Sequence, residues 1–349
     1  MVEHAQGGQH AQSVPDLPTI DDIEDAAERL RAVAVETPLV EHPALNAIAG
    51  GRILIKAENL QRTGSFKFRG AYNAVRQIAD AIADATTTKG GTSGGVVAAS
   101  SGNHAQGIAA AAKLCDLPAA IVMPSDAPPT KIERTRALGA EVILYDRATE
   151  DRIAIACDLA ETRGAEFVHP FDNFDVIAGQ GTTGLEIVEQ AKAQGLEPDQ
   201  VLVCCAGGGL TGGVATAVDA LLPGVAIHPV EPEGFDDFKR SLESGMPETN
   251  ERTSGSVCDA LLVPRPGVRN FAIGQELFSP GLVVTDQEAL DAVAFAFREL
   301  RLVAEPGGAV ALAAVLTNKV KTVGRVTSIV ISGGNIDAAL LAKVIQDPA

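Results

Sequence analysis

The chain has 349 residues, of which 46% are hydrophobic and 21% charged, a composition that excludes disordered, collagen-like and disulfide-scaffold proteins. Its 45 acidic and 28 basic residues give a net charge of -17, which disfavours binding to nucleic acid or to an anionic membrane. Because no stretch reaches the ~20 apolar residues that cross a bilayer, and residues 1–18 lack the layout of a signal peptide, we predict a cytoplasmic protein.

Short runs of β-branched residues alternate with helical patterns along most of the chain. This alternation predicts an α/β fold in which helices cover a parallel sheet. Apolar residues spaced by three and four predict that the helix after the first strand starts at Phe66. The predicted strands are 52–56, 96–100, 119–123, 141–145, 201–205, 226–230 and 326–332.

Glycine-containing turns follow three of these strands, at 100–103, 206–210 and 332–335. Ligands of α/β proteins usually bind outside the carboxyl ends of the strands, so a ligand site is expected near these turns. Taken singly, each turn is more simply explained as a tight connection between a strand and a helix.

The turn at 206–210 allows two kinds of ligand. Three glycines between a buried strand and a helix leave backbone N–H groups free for a phosphate. The same stretch fits G-x-G-x-x-G at Gly207, Gly209 and Gly212, and Glu231 follows ~20 residues later. On that motif alone the protein would be an NAD-dependent dehydrogenase.

Lys67 is the candidate nucleophile. Ser65 is predicted to be the N-cap of a helix, which places Lys67 in the first turn, where the helix dipole disfavours the charged form of an amine. An amine that is more often neutral is a better nucleophile. For this residue alone, a solvated lysine without a catalytic role is the simpler interpretation.

Five motifs taken together are far more specific. They are TGSFKFRG at 63–70, SSGNHAQG at 100–107, GQGT at 179–182, AGGGL at 206–210 and SGGN at 332–335. This set resembles the serine/threonine dehydratase (threonine ammonia-lyase) and serine racemase group of pyridoxal-phosphate enzymes, which share the fold of the tryptophan synthase β chain. The resemblance runs from about Thr37 to Asp337.

The resemblance implies an α/β enzyme of fold-type II, with two open, twisted, mostly parallel sheets flanked by helices. It further implies a large cofactor-binding domain, formed by residues 1–77 and 178–349, and a small mobile domain, 78–177, that closes over the substrate. A homodimer is expected on the same ground. Since only a short helix is predicted after Asp337, no C-terminal regulatory domain is expected.

The resemblance also implies where the cofactor is held. Lys67 would bind pyridoxal 5'-phosphate as a Schiff base, Phe66 would lie against its ring, and Asn103 would hydrogen-bond its phenolic oxygen. Ser332 would face the pyridine nitrogen, and Glu305 would border the site. The phosphate would be bound by the turn Ala206, Gly207, Gly208, Gly209 and Leu210.

By the same resemblance, the substrate α-carboxylate would be bound by Ser100, Ser101, Gly102, Asn103 and His104. Lys67, once released by the substrate, would take the α-proton, and the cofactor phosphate would protonate the leaving hydroxyl. Ser101 would be a second proton carrier on the opposite face of the ring, as in serine racemases and hydroxyaspartate dehydratases. The alternative is that Ser101 only hydrogen-bonds the local backbone.

The acidic segment at 230–237 is a candidate site for Mg²⁺ or Ca²⁺. In members similar to serine racemase, the ligands would be the carboxylates of Glu231 and Asp237 and the carbonyl of Phe235. The alternative is that the acidic residues cap a helix that starts near Asp236.

We therefore expect a pyridoxal-phosphate dependent ammonia-lyase that converts a small β-hydroxy amino acid, such as L-threonine or L-serine, to a 2-oxo acid and ammonia. The sequence Cys258-Asp259-Ala260 stands where threonine dehydratases usually have Ala-Asp-Gly. A 3-hydroxyaspartate ammonia-lyase and a bifunctional enzyme similar to serine racemase are therefore alternatives. An NAD-dependent dehydrogenase and a non-catalytic amino-acid-binding protein are more distant ones.

Overall fold

The computed structural model describes residues 15–89, 94–127 and 129–346, and its strands form two separate sheets. The strands are β1 (Leu39–Glu41), β2 (Arg52–Ala57), β3 (Val96–Ala99), β4 (Ala119–Pro124), β5 (Glu141–Tyr145), β6 (Glu166–Phe167), β7 (Gln200–Cys204), β8 (Ala226–Pro232), β9 (Leu282–Val284) and β10 (Val326–Ile331). The helices are α1 (Ile20–Leu30), α2 (Pro43–Ala49), α3 (Lys67–Lys89), α4 (Asn103–Leu114), α5 (Pro129–Ala137), α6 (Arg152–Arg163), α7 (Phe174–Ala193), α8 (Gly209–Leu221), α9 (Asp237–Ser244), α10 (Val268–Leu277), α11 (Asp286–Phe295), α12 (Pro306–Leu316) and α13 (Ala338–Gln346).

The strand order confirms the predicted α/β fold with two mostly parallel sheets. The larger sheet has the order β1-β2-β10-β7-β8-β9, and the smaller one has the order β5-β4-β3-β6. Neighbouring strands are parallel except for β1 and β2. Every predicted strand is present with shifted or identical ends. The sequence does not predict β1, β6 and β9, because runs this short show no alternation.

The central strands of the larger sheet are covered on both faces. Successive side chains of a strand point to opposite faces, so Ile329 and Val330 of β10 belong to different hydrophobic clusters. Ile329 shares its cluster with Leu312 of α12, and Val330 shares its cluster with Val214 of α8. Burial on both faces explains why β7 and β10 are apolar throughout most of their length.

The start of α3 differs slightly from the prediction. The helix begins at Lys67, one residue after Phe66. Ser65 is extended, with a φ of -162°, and pairs with Gly333 as an isolated β-bridge. Its hydroxyl is buried and has no hydrogen-bond partner among the described residues, so the prediction of Ser65 as a capping side chain was wrong. The pairing with Gly333 nevertheless ties the entry to α3 to the turn after β10.

The two sheets use different parts of the chain. The smaller sheet contains strands from Val96 to Phe167 only, whereas the larger sheet contains the strands on either side of that stretch. The division into domains at residues 78 and 177 stays a prediction. Among the described helices, none combines the length and the apolar character that a membrane span requires.

Candidate active site

The three glycine-containing turns come together around one cavity. It is lined by all the residues that were predicted from the sequence to react, to hold a cofactor or to bind a carboxylate: Phe66, Lys67, Ser100, Ser101, Gly102, Asn103, His104, Ala206, Gly207, Gly208, Gly209, Leu210, Glu305 and Ser332. Both sheets contribute, since β3 leads into α4 and β7 leads into α8 at this place. The carboxyl ends of strands from the two sheets therefore border the same cavity.

Lys67 is the first residue of α3, and its side chain lines the cavity. Its Nζ donates a hydrogen bond to the carbonyl oxygen of Pro170 at 2.7 Å and lies 5.0 Å from the centre of the Phe66 ring. Burial lowers the pKa of the Lys67 amine to about 8. The pKa is thus lowered in the direction expected from the sequence, and desolvation of the charged amine is a cause that the sequence did not reveal.

Two helices begin at the cavity without a capping side chain. The N-cap of α4 is Gly102 and the N-cap of α8 is Gly208, and neither helix has a side-chain cap hydrogen bond. The first N–H groups of a helix have no partner inside the helix and carry partial positive charge. Each of these helix starts suits an anionic group, so the cavity can hold two anionic groups, such as a phosphate and a carboxylate.

The turn before α8 requires glycine for two physical reasons. Gly208 has a φ of 93°, a left-handed conformation in which a side chain is strained. A Cβ atom on Gly207 would lie 2.2 Å from a carbon of the Phe171 ring. Asn270 supports the turn by donating a hydrogen bond from Nδ2 to the Gly207 carbonyl oxygen at 2.9 Å. The turn is therefore held in one conformation by the residues packed against it.

Asn103 is fixed by partners on both sides of its amide. Its Nδ2 donates to Glu305 Oε1 at 2.6 Å, and its Oδ1 accepts from Asn335 Nδ2 at 2.7 Å. Burial raises the pKa of Glu305 to about 7, against the opposing effect of the Asn103 hydrogen bond. Among the described residues, Glu305 is the acceptor for the Asn103 amide nitrogen, so the second N–H of that amide is available to a ligand. Ser332, which is 5% exposed, lines the same cavity.

His104 offers an unused acceptor at the start of α4. Its Nε2 lies 3.1 Å from the carbonyl oxygen of Val168, so Nε2 carries the proton and Nδ1 is an acceptor. That Nδ1 is buried and has no hydrogen-bond partner in the part of the chain that the structure describes. Burial, together with the Lys67 amine, lowers the pKa of His104 to about 3. The ring is therefore neutral, and only its backbone N–H suits a carboxylate.

The cavity also contains two basic residues that sequence reasoning did not identify. Lys131 of α5 and Arg152 of α6 line it, and Lys131 forms an ion pair with Asp259 at 3.0 Å. Arg152 makes no hydrogen bond or ion pair with the residues that the structure describes. No local signal distinguishes it from other arginines of this region, such as the exposed Arg134 and Arg136.

The predicted metal ligands Glu231 and Asp237 are both fully buried. The two carboxylate oxygens of Glu231 accept the backbone N–H groups of Phe238 and Lys239 at 2.9 and 2.8 Å, so Glu231 caps α9. Asp237 Oδ1 accepts from Asn250 Nδ2 at 2.5 Å, while Oδ2 has no hydrogen-bond partner among the described residues. Glu231 therefore caps α9, and Asp237 keeps one carboxylate oxygen without a partner among the described residues.

The two buried carboxyl groups of Glu231 and Asp237 repel each other when both are charged, and a bound cation would relieve this repulsion. Burial raises the pKa of Asp237 to about 7, and burial together with Asp237 raises the pKa of Glu231. In the described part of the chain, no group of three or more His, Cys, Asp or Glu residues could hold a metal ion. A hard cation would therefore need the Phe235 carbonyl and water beside the two carboxylates.

The fold and the cavity define an α/β enzyme with a buried lysine and two uncapped helix starts that suit anions. Pyridoxal phosphate fits this set, because the lysine matches its aldehyde and the glycine turn before α8 matches its phosphate. The family model described as "Pyridoxal-phosphate dependent enzyme" matches residues 31–333. The chain belongs to this family.

Individual relatives cover nearly the whole chain. The L-threo-3-hydroxyaspartate ammonia-lyase of Pseudomonas sp is 40% identical over 330 residues, which is 95% of this chain and 99% of that protein. The L-threonine ammonia-lyase of Thermotoga maritima is 40% identical over 328 residues, which is 94% of this chain and 78% of that protein. The structure of maize serine racemase is similar with a TM-score of 0.85 and 33% identity, covering 94% of this chain and 97% of that one.

The dehydrogenase interpretation was wrong. Both carboxylate oxygens of Glu231 bind backbone N–H groups in the interior, so this residue cannot bind the hydroxyls of a ribose. The glycine spacing is explained by packing as well, since a Cβ atom on Gly212 would lie 3.0 Å from Asn270 Oδ1.

The lowered pKa of Lys67 predicts how cofactor capture depends on pH. Protein freed of cofactor should capture pyridoxal phosphate at a rate that rises with pH and levels off above about 8, because the neutral amine is the reacting form. Stopped-flow absorbance, with Nα-acetyl-lysine as the reference amine, measures this rate. The reference should keep rising towards its pKa of ~10.4. A protein rate that rises in parallel with the reference would contradict a desolvated Lys67.

Proposed function

We propose that the protein is an ammonia-lyase that dehydrates a small β-hydroxy amino acid of the L-threonine or L-serine type to a 2-oxo acid and ammonia. The observation that carries the proposal is the meeting, in one cavity, of the Lys67 amine with the uncapped starts of α4 and α8. Relatives that are 40% identical are named as ammonia-lyases of L-threonine and of L-threo-3-hydroxyaspartate, which supports this reaction class.

Besides Lys67, which would bind it covalently, three side chains and one turn would hold the cofactor. Phe66 would lie against its ring, Asn103 would donate to its phenolic oxygen and Ser332 would face its pyridine nitrogen, while the turn at 206–210 would bind its phosphate. Glu305 holds the Asn103 amide in the required orientation. When bound, pyridoxal phosphate supplies an electron sink for the electron pair left at Cα. A neutral hydroxyl at Ser332 keeps that sink weak, which favours prompt loss of the β-substituent.

The protein's own groups bind the substrate and move its proton. The N–H groups at the start of α4, from Gly102 to His104, bind the α-carboxylate as a fixed anion site. Lys67 takes the proton from Cα, and the lowered pKa of its amine, about 8, raises the fraction of neutral base near physiological pH. The Pro170 carbonyl orients that amine by accepting its hydrogen bond. Closure of the small domain, 78–177, would exclude water while the reaction proceeds.

Loss of the amine tests this function directly. Lys67→Ala should abolish both the visible absorbance of the bound cofactor and the formation of 2-oxo acid from L-serine or L-threonine, because the covalent anchor and the base are removed together. Absorbance spectra and a coupled keto-acid assay measure the two losses. Wild-type protein that binds these amino acids without turnover, with cofactor supplied, would instead indicate a binding protein.

The basic residues of the cavity favour a dicarboxylic substrate as a second candidate. Lys131 is partly neutralised by Asp259, whereas Arg152 has a guanidinium group without such a partner among the described residues. An arginine in a partly closed cavity suits a second carboxylate through charge-assisted hydrogen bonds. This arrangement supports 3-hydroxyaspartate, which carries a carboxylate at the β-carbon.

Arg152→Gln should separate the two substrate classes. We expect the KM for L-threo-3-hydroxyaspartate to rise by about tenfold or more, because a hydrogen bond to a charged group contributes about 1.5–3 kcal/mol. The KM for L-serine should change little. Arg147→Gln is the matched control, since Arg147 is exposed and pairs with Asp126. Equal effects of Arg152→Gln on both substrates would argue against the dicarboxylate.

Ser101 lines the same cavity and would be the proton carrier for an accompanying racemase activity. Maize serine racemase, to which this chain is similar, supports the suggestion. Chiral separation of the serine recovered from the same assay would detect racemisation as D-serine formed from L-serine.

We further propose that Mg²⁺ or Ca²⁺ binds between Glu231 and Asp237. The support is the buried Asp237 Oδ2 without a partner among the described residues, next to a second buried carboxylate. A cation would be held by these two carboxylates, the Phe235 carbonyl and water, and would stabilise the folded protein by binding it selectively.

Asp237→Asn tests the cation site, because it removes one charge and keeps an acceptor for Asn250. Mg²⁺ or Ca²⁺ added after chelation should raise the melting temperature of the parent by a few degrees and leave Asp237→Asn unchanged. Asp236→Asn, one residue earlier, should respond like the parent. If Asp237→Asn responds as well, the acidic residues serve only as a helix cap.

A further inference from the structure

Arg69 lies on the side of α3 that faces away from Lys67. Residues two positions apart on a helix point in nearly opposite directions, and the structure shows the consequence. Lys67 lines the candidate active-site cavity, whereas Arg69 lines a second cavity together with Thr182 and Glu186 of α7. The Arg69 side chain is only 1% exposed. Burial of the Arg69 guanidinium is costly unless its charge is paired and its N–H groups are hydrogen-bonded.

The guanidinium of Arg69 is fully used in hydrogen bonds. Nε and Nη2 donate to the two carboxylate oxygens of Glu58, each at 2.8 Å. Nη1 and Nη2 donate to the two oxygens of Glu186 at 2.6 and 2.8 Å, and Nη1 also donates to Thr182 Oγ1 at 3.1 Å. All five N–H donors therefore point at fixed acceptors, which defines the position of the first turn of α3 against α7 and the end of β2.

Lys56 completes this buried cluster. Its Nζ donates to Glu186 Oε2 at 2.6 Å, to the Thr37 carbonyl oxygen at 2.5 Å and to Gln190 Oε1 at 2.9 Å. Two cations thus face two carboxylates, Glu58 and Glu186, so the cluster is neutral overall. Buried ion pairs often stabilise a protein no better than apolar residues of the same volume. The cluster's contribution here is therefore positional: its directional hydrogen bonds fix the first turn of α3 against α7.

The GQGT motif of α7 contacts the same turn of α3. Gln180 Oε1 accepts the backbone N–H of Gly70 at 3.2 Å, while the Phe66 carbonyl, four residues before Gly70, accepts the N–H of Arg69 at 3.0 Å. A Cβ atom on Gly179 would lie 2.6 Å from the Cα of Gly70, so the two helix backbones touch at this point. The motif therefore holds the backbone three residues after Lys67.

We propose that Arg69 and Gln180 are positioning residues that set the place of the Lys67 amine in the active site. The proposal rests on the proposed function, in which Lys67 binds the cofactor and carries the α-proton. Arg69 fixes the first turn of α3 through Glu58, which follows β2, and through Thr182 and Glu186 of α7. Gln180 fixes the backbone of the same turn. Neither residue lines the candidate active-site cavity, so both act only through Lys67.

The experiment compares Arg69→Lys and Gln180→Met with matched controls in the holoenzyme. Arg69→Lys keeps the charge but loses the forked geometry, and Gln180→Met keeps the volume but loses the acceptor. Arg76→Lys, on the exposed side of α3 where Arg76 pairs with Asp80, and Glu189→Gln, on the exposed side of α7, are the controls. The measurements are kcat and KM, the cofactor dissociation constant by equilibrium dialysis, the pH midpoint of the visible absorbance, and the melting temperature.

We expect both test variants to lose kcat by about tenfold to 10²-fold with a much smaller change in KM, because small displacements of a reacting group have effects of this size. Cofactor affinity should fall and the pH midpoint should shift, while both controls stay like the parent. Test variants that lower only the melting temperature would overturn the proposal. If Arg69→Lys does not fold, Gln180→Met alone decides. Wild-type protein that captures no cofactor at Lys67 would overturn the proposed function itself.

Discussion

The desolvated amine at the start of α3 is the constraint on which the rest of the site depends. A lysine in this position is costly to keep charged, and its Nζ donates to the Pro170 carbonyl oxygen at 2.7 Å. That arrangement makes the amine reactive, and it also makes the amine sensitive to where the first turn of α3 is placed. The buried cluster around Arg69 and the close contact between Gly70 and Gly179 lie at that turn. The groups that hold the lysine are therefore as much part of the site as those that line it.

The surrounding electrostatics come mainly from backbone and burial. The cavity is lined at the starts of α4 and α8 by N–H groups without a capping side chain, which provide positive potential for anions in a chain whose net charge is -17. Burial keeps His104 neutral by lowering its pKa to about 3, and burial raises the pKa of Glu305 to about 7. Arg152 is the basic side chain of the cavity without a partner in the described chain, and it is where a second substrate carboxylate would be distinguished from a methyl group or hydrogen.

Much of this arrangement could be predicted from the sequence, and the limits have physical causes. Strands such as β7 and β10 are apolar over most of their length and end in glycine turns, so both their positions and their common edge were predictable. The presence of Lys131 and Arg152 in the cavity could not be predicted, because they reach it from separate helices and no local sequence pattern marks them. Ser65 was assigned to capping, but its pairing with Gly333 depends on a strand more than 250 residues away in the chain. The ion cluster of Arg69 was missed for the same reason, since its partners come from β2, α7 and the turn between β2 and α3.

The central claim is that Lys67 is the residue that carries the cofactor. Reduction of the holoenzyme with borohydride, followed by peptide mass mapping, tests it most directly, because the reduced linkage survives digestion. The account predicts a pyridoxyl-phosphate group on the peptide that contains Lys67 and on no other lysine peptide. A stoichiometric label on a different lysine, or an unlabelled Lys67 in fully loaded protein, would contradict it.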